Sequence, residues 1–162
     1  MKRLVLLFLL LAGMAHAQTD PEGVAIMKPI TALFTGMNLG DSAMVHSAFA
    51  TQVTMATVST DKDGKVNVKR ENSLANFLKA VGTPHPEPWS EPIWDVRIEQ
   101  DGPLAQVWAH YAFYLGNKFS HCGVDAFQLV KENGAWKIFH LTDTRQREGC
   151  NVPPYVSEAF KK

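Results

Sequence analysis

The chain has 162 residues, sixteen Lys and Arg against sixteen Asp and Glu, 46% hydrophobic residues and two cysteines. That length and apolar content fit one domain with a real core. The balanced charge supplies no basic patch, which excludes nucleic acid as an expected partner.

Met1–Ala17 reads as a secretory signal. Lys2 and Arg3 form the charged start, Leu4–Leu11 the apolar run, and Ala15-His16-Ala17 a small-x-small cleavage site. The run is too short for a permanent membrane anchor. No Cys follows the cleavage site to carry a lipid. The expected product starts at Gln18 and is exported, with fourteen bases against sixteen acids and a net charge of about −2. Residues 18–150 are expected to form the single domain and residues 151–162 a C-terminal tail.

Asp20-Pro21-Glu22 is a helix start, with a capping acid and a proline in the first turn. Ile26, Met27, Ile30, Leu33, Phe34 and Met37 then recur at helical spacing. Pro29 predicts a kink or restart. Gly40 ends the region. Asp41 caps a second helix with Met44, Val45, Ala48 and Phe49 inward. Val53–Ser59 and Val66–Arg70 flank Asp61-Lys62-Asp63-Gly64 as a hairpin. That acidic turn lacks the twelve-residue ligand pattern of a calcium loop. Ser73 is the expected cap of a third helix that ends at Gly82. Thr83–Pro92 holds four prolines in ten residues, which excludes helix and central strand. It is a stiff connector or a lid with His85 and Trp89 at hand.

Ile93–Arg145 is a meander of four strands. Asn133-Gly134 is a type I′ turn signal. It pairs Glu132 with Ala135, Leu129 with Ile138, Phe127 with His140 and Asp125 with Thr142. A centred turn near Lys118 sets Tyr111 opposite Phe127 and Phe113 opposite Asp125. Asp101-Gly102 pairs Ile98 with Ala105, Val96 with Val107 and Trp94 with Ala109. Side chains alternate faces along a strand, so these registers gather Trp94, Val96, Ile98, Val107, Phe113, Phe127 and Ile138 on one face. Tyr111, Asp125, His140 and Thr142 form the polar end of that face. The other face keeps Trp108, Tyr114, Val124, Ala126, Phe139 and Leu141. It is more apolar than a solvated sheet face should be. The helices are too few for both faces, which predicts a homodimer through the sheet.

The same hairpin brings Arg145 near Cys122. Cys150 needs only a bend to reach it, so an exported chain is expected to form a Cys122–Cys150 disulfide. Closing that loop contributes about 3 kcal/mol. Arg145 is expected to pair with a carboxylate and pin the strand end. His110 and His140 are read on opposite faces and His121 in a turn, so no metal site is expected, nor any cofactor.

The element order implies an α+β fold, helices packed on a strongly curved, mainly antiparallel sheet. Gly40-Asp41, Ala48-Phe49-Ala50 and the block HYAFYLGNKFSHCGVDAFQLVKENGAWKIFHLTDTR carry a further signal. Over roughly residues 23–150 the chain resembles the nuclear transport factor 2-like superfamily, the cone-shaped fold. Within it the chain is similar to bacterial exported proteins termed SnoaL-like or lumazine-binding-like. The resemblance implies a conical pocket between sheet and helices, dimers through the sheet, and a periplasmic or secreted location in a Gram-negative-type bacterium. The superfamily contains isomerases, dehydratases, cyclases and non-catalytic binders, so fold alone does not decide function.

Three functions follow as expectations. The first is binding of a small, partly apolar or aromatic molecule, lined by Trp94, Tyr111, Phe113, Asp125, Phe127, His140 and Thr142. The second is a cofactor-independent isomerase or dehydratase with Asp125 as base, Tyr111 as donor to an enolate oxygen and His140 as proton shuttle. The third is a structural dimeric module of the envelope, its pocket filled by its own side chains.

Overall fold

The computed structural model describes residues 20–161; the expected signal lies outside them. The elements are α1 (Pro21–Leu39), α2 (Ser42–Ala48), β1 (Phe49–Thr60), β2 (Val66–Glu71), α3 (Ala75–Gly82), β3 (Trp89–Ser90), β4 (Ile93–Asp101), β5 (Leu104–Leu115), β6 (Lys118–Glu132), β7 (Ala135–Arg145) and α4 (Pro154–Ser157), followed by a 3-10 turn at Glu158–Phe160. The fold is α+β: N-terminal helices lie on a curled, unclosed sheet of seven strands in the order β2-β1-β7-β6-β5-β3. The short β3 and the longer β4 share one edge of β5. All pairings are antiparallel except β1 with β7.

Asp20 caps α1 by accepting from the Glu22 N–H at 3.1 Å, and Gly40 closes it in the left-handed conformation at φ 69°. Asp41 accepts from Met44 N–H at 2.9 Å to start α2. The kink expected at Pro29 is absent as a break: α1 runs unbroken through it. Ile26 and Ile30 before and after the proline, then Leu33 and Met37, are all buried in one core with Val107, Phe127, Leu129 and Ile138. Burial along that ridge offsets the one backbone bond a proline removes. Ser73 lies one residue too early to cap α3; Leu74 occupies the cap position with no side-chain bond. Glu22 ties the start of α1 to the far hairpin, accepting from Trp136 Nε1 and Lys131 Nζ, each at 2.7 Å.

The meander forms in the expected order with shifted registers. Asn133 and Gly134 take φ 51° and 80°, and Glu132 pairs with Ala135. Leu129 pairs with Ile138, but Gln128 then pairs with His140. Phe139 is therefore an extra residue in β7, a bulge. Beyond it Phe127 faces Leu141 and Asp125 faces Asp143, where His140 and Thr142 were expected. Between β5 and β6 the turn is tight, Leu115 against Lys118, and Tyr111 pairs with Gly123 instead of Phe127. In β4 a second bulge sets Asp95 and Val96 against Ala109 alone, with Asp95 at φ 50°. It turns Trp94 to the outer face, where Trp94 packs with Ala112, Tyr114, Cys122 and Val156.

Cys122 and Cys150 are joined in a disulfide. Cys122 and Gln146 also exchange both backbone hydrogen bonds at 2.9 Å. The segment held there runs back over the outer face, and the Phe160 ring stacks on Tyr114 at 3.9 Å. One end of the face assigned to a second subunit is thus covered by the chain's own C-terminus. Trp108, toward the other end, remains 47% exposed.

Candidate functional site

A cavity of about 600 Å³ opens between the helices and the sheet. Its walls are apolar: Leu33, Phe34 and Met37 from α1, Phe77 from α3, and Trp89 and Phe113 from β3 and β5. Trp89 meets Phe113 edge-on at 6.0 Å and is backed by the stacked ring of His85 at 4.7 Å. Asn38 Nδ2 donates to Ser90 Oγ at 2.8 Å, tying β3 to the end of α1. Glu91 and Pro92 form the break between β3 and β4, and this break turns the Glu91 side chain into the cavity.

The floor is polar. Asp125 on β6 is 2% exposed and stands directly across the strand pair from Asp143 on β7. Asp143 is well supplied with donors. Thr57 Oγ1 donates to its Oδ1 at 2.6 Å, and Arg145 Nε and Nη2 donate to its Oδ2 at 3.2 and 3.1 Å. The Tyr111 hydroxyl lies 3.1 Å from Asp143 Oδ2 and 3.0 Å from the Thr144 carbonyl, sharing its one proton between them. Asp125 Oδ2, in contrast, is buried without a donor. Its polar neighbour is the Glu91 carboxyl, hydrogen-bonded to it, and two acids can bond each other only by sharing a proton.

Glycine at position 123 makes this arrangement possible. A Cβ there would fall 1.8 Å from the Thr144 carbonyl oxygen. With no side chain on β6 opposite it, Tyr111 crosses β6 and reaches β7. The Thr144 hydroxyl accepts from Val124 N–H at 2.9 Å and holds β7 in place.

The electrostatics follow from three carboxyls against one guanidinium in an apolar enclosure. Burial raises the Glu91 carboxyl to about 8, with repulsion from Asp143 adding to it. Burial, then Glu91 and Asp143, raise Asp125 well above the ordinary range. The pair therefore keeps a shared proton near neutrality. Burial, then the Asp143 charge, also raises the Tyr111 hydroxyl, so it stays a neutral donor. His121 lies in β6, not in a turn, and lines the cavity beside Phe113 at 5.0 Å. Burial, then Arg145, holds its imidazole down to about 4.

Of the residues picked from sequence, the cavity gathers Tyr111, Phe113 and Asp125. Phe127 is core, edge-on to Phe34 at 6.2 Å, and lies behind the wall. Trp94 is on the outer face because of the β4 bulge. His140 and Thr142 point away because of the bulge at Phe139. They bond each other at 2.7 Å, and His140 bonds Thr54 at 2.6 Å. His140 thus falls on the face His110 occupies, not the opposite one. Glu91, Asp143, Arg145 and His121 are site residues that periodicity did not pick out. The Arg145 pairing read as a strand-end pin is present, to Asp143. Among the described residues no group of three or more His, Cys, Asp or Glu is arranged to hold a metal ion.

Comparison with known proteins agrees with this architecture. A nuclear transport factor 2-like protein of unknown function from Shewanella baltica is 21% identical, with a TM-score of 0.58, over 82% of this chain and 100% of that one. A protein of unknown function with a cystatin-like fold from Nostoc punctiforme gives a TM-score of 0.64 at 12% identity, over 80% and 95% of the two chains. A structure described as "Putative Scytalone Dehydratase" from Novosphingobium aromaticivorans gives 0.61 at 13% identity, over 82% and 89%. These likenesses establish the fold. No curated protein matches the chain. Residues 21–141 match the family described as "Putative lumazine-binding". With that match over most of its length, and with the cone of helices and curled sheet of the nuclear transport factor 2-like fold around an open cavity, the chain belongs to this lumazine-binding-like family.

Proposed function

We propose that the chain is an exported protein that holds a small, partly aromatic molecule in the cavity between helices and sheet. The observation that carries this is an open space of about 600 Å³ whose aromatic walls lead down to the buried Asp125 and its neighbour Glu91. Apolar walls with a few convergent polar groups are the usual build of a small-molecule site. A module that filled its own pocket would have no such space, which weighs against a purely structural role. The disulfide supports export, since such bonds persist in oxidising compartments. No helix among the described residues is long and apolar enough to cross a membrane. Trp108 and Leu104, both exposed on the outer face, support a homodimer through that part of the sheet.

The test is a native mass spectrum of the protein purified without reductant from an exporting host. A dimer carrying an extra small-molecule mass is expected. A bare monomer that stays bare on exposure to small aromatic molecules would sink both the pocket and the dimer.

A second reading, proton transfer next to a carbonyl, is favoured by one observation. Glu91 and Asp125 are bonded carboxyl to carboxyl and raised by burial, a pair able to take and give a proton near neutrality, and the neutral Tyr111 hydroxyl is held nearby on Asp143 and Thr144. In that reading His140 has no part and Glu91 takes the place given to it. Asp125→Asn would then abolish turnover while sparing binding.

A further inference from the structure

The buried floor of the cavity has too many acceptors. Asp143 is answered by Arg145, Thr57 and Tyr111. Asp125 Oδ2 has no donor but the Glu91 carboxyl bonded to Asp125, so the two acids answer each other only while they share a proton. Without that proton they would be acceptors lacking donors, which are costly and rare inside folded proteins. The pair lines a cavity whose walls include Phe34, Phe77, Trp89 and Phe113. Aromatic faces attract organic cations, most strongly where water is excluded.

We infer that the occupant is an aromatic molecule bearing a cationic N–H group, an amidine, a guanidine or a protonated amine, which enters nitrogen first and donates to Glu91 and Asp125. The inference rests on the cavity being a ligand site and names what that site selects. Two carboxyls and a forked N–H donor match in geometry as well as charge. The empty site holds a proton between the carboxyls; the cation replaces it, and the proton leaves to solvent. The other charged or titratable groups facing the pair are Asp143 and Arg145 on β7, Tyr111 on β5 and His121 on β6, with Lys69 and Glu71 on β2 toward the mouth. Arg145 is engaged by Asp143, and Lys69 by Glu71 at 2.9 Å, so neither supplies the missing donor.

The experiment uses three probes of one size: benzamidine, acetophenone and benzoate. Binding is read by chemical-shift titration and by calorimetry in buffers of different ionisation enthalpy. Benzamidine should bind at least about tenfold tighter than acetophenone, the scale of a hydrogen bond to a charged group. It should release close to one proton, and its affinity should rise toward about tenfold per pH unit between pH 6 and 8 as that proton becomes easier to lose. Glu91→Gln and Asp125→Asn, near-isosteric changes made separately, should each erase the preference and the proton release. Tighter binding of acetophenone or benzoate would overturn the inference while leaving the ligand pocket standing. No binding of any probe, with the aromatic signals of the wall unmoved, would remove both.

Discussion

Asp125 and Asp143 face each other across β6 and β7, yet only Asp143 has a cation of its own. Like charges directly opposite on paired strands destabilise a sheet. The molecule relieves this by pairing one acid with Arg145 and letting the other share a proton with Glu91. The contrast turns a structural oddity into a measurable pH response.

Above about pH 6.5 stability should fall as pH rises. An ordinary Glu titrates near 4.5, whereas Glu91 in the folded chain is pushed up to about 8. Between these values the folded state holds a proton that the unfolded state has lost, so unfolding releases it and higher pH favours unfolding. The slope is at most about 1.4 kcal/mol per pH unit for this group. Urea midpoints at pH 6.5, 7.2 and 8 should decline in the native sequence and flatten when Glu91→Gln and Asp125→Asn are combined, since burial raises Asp125 as well. An unchanged slope in the double variant would mean that the pair holds no proton in the fold.

His121 should act in the opposite direction on the acid side. Its ordinary value is 6.5, and burial against Phe113 and Tyr111 lowers it to about 4. Between these values unfolding takes up a proton, so stability falls as pH falls. The imidazole carbon-bound proton resonances of His121 should therefore stay in their neutral position down to about pH 5. A midpoint near 6.5 would show that the ring is solvated and the cavity wetter than its walls imply.

The fold was legible because the errors in register along β5 preserved the face. Tyr111 was expected opposite Phe127 and lies opposite Gly123, four residues away. An even slip keeps every side chain on its side, so Tyr111, Phe113 and Asp125 still reach the cavity. Bulges are different, since each adds one residue and reverses the face beyond it. Nothing in the run Lys137-Ile138-Phe139-His140 marks Phe139 as the extra residue, so His140 and Thr142 were exchanged for Leu141 and Asp143. Glu91 was hidden for another reason: it sits between strands, where no periodicity applies. Gly123 is the signal in the sequence that points to this site. A glycine inside a strand marks a close approach of backbone or side chain.

Gly123→Ala should test that close approach. The new Cβ would have to displace the Thr144 carbonyl from 1.8 Å, and that carbonyl is backbone in a paired strand. Overpacking of this kind costs about 3 kcal/mol. The loss should appear in urea unfolding. In the folded fraction the Tyr111 hydroxyl proton, shielded between Asp143 and Thr144, should exchange faster with solvent. A stable variant with an intact Tyr111 contact would mean that β7 can shift without cost.

Removal of the disulfide should separate the C-terminal strap from the cavity. Cys122 and Cys150 close a loop of sequence separation 28, and replacing both with Ala should destabilise the chain by about 3 kcal/mol through unfolded-chain entropy. The native-state consequence is local. Val156 and Phe160 pack with the outer cluster of Trp94, Ala112, Tyr114 and Cys122. Amide exchange of residues 152–160 should rise sharply in the double variant. Exchange at Asp125 and Tyr111 should follow only the global loss, because the strap and the cavity lie on opposite faces of the sheet. Equal loss of protection on both faces would mean that the strap holds the curvature of the sheet, and with it the shape of the pocket.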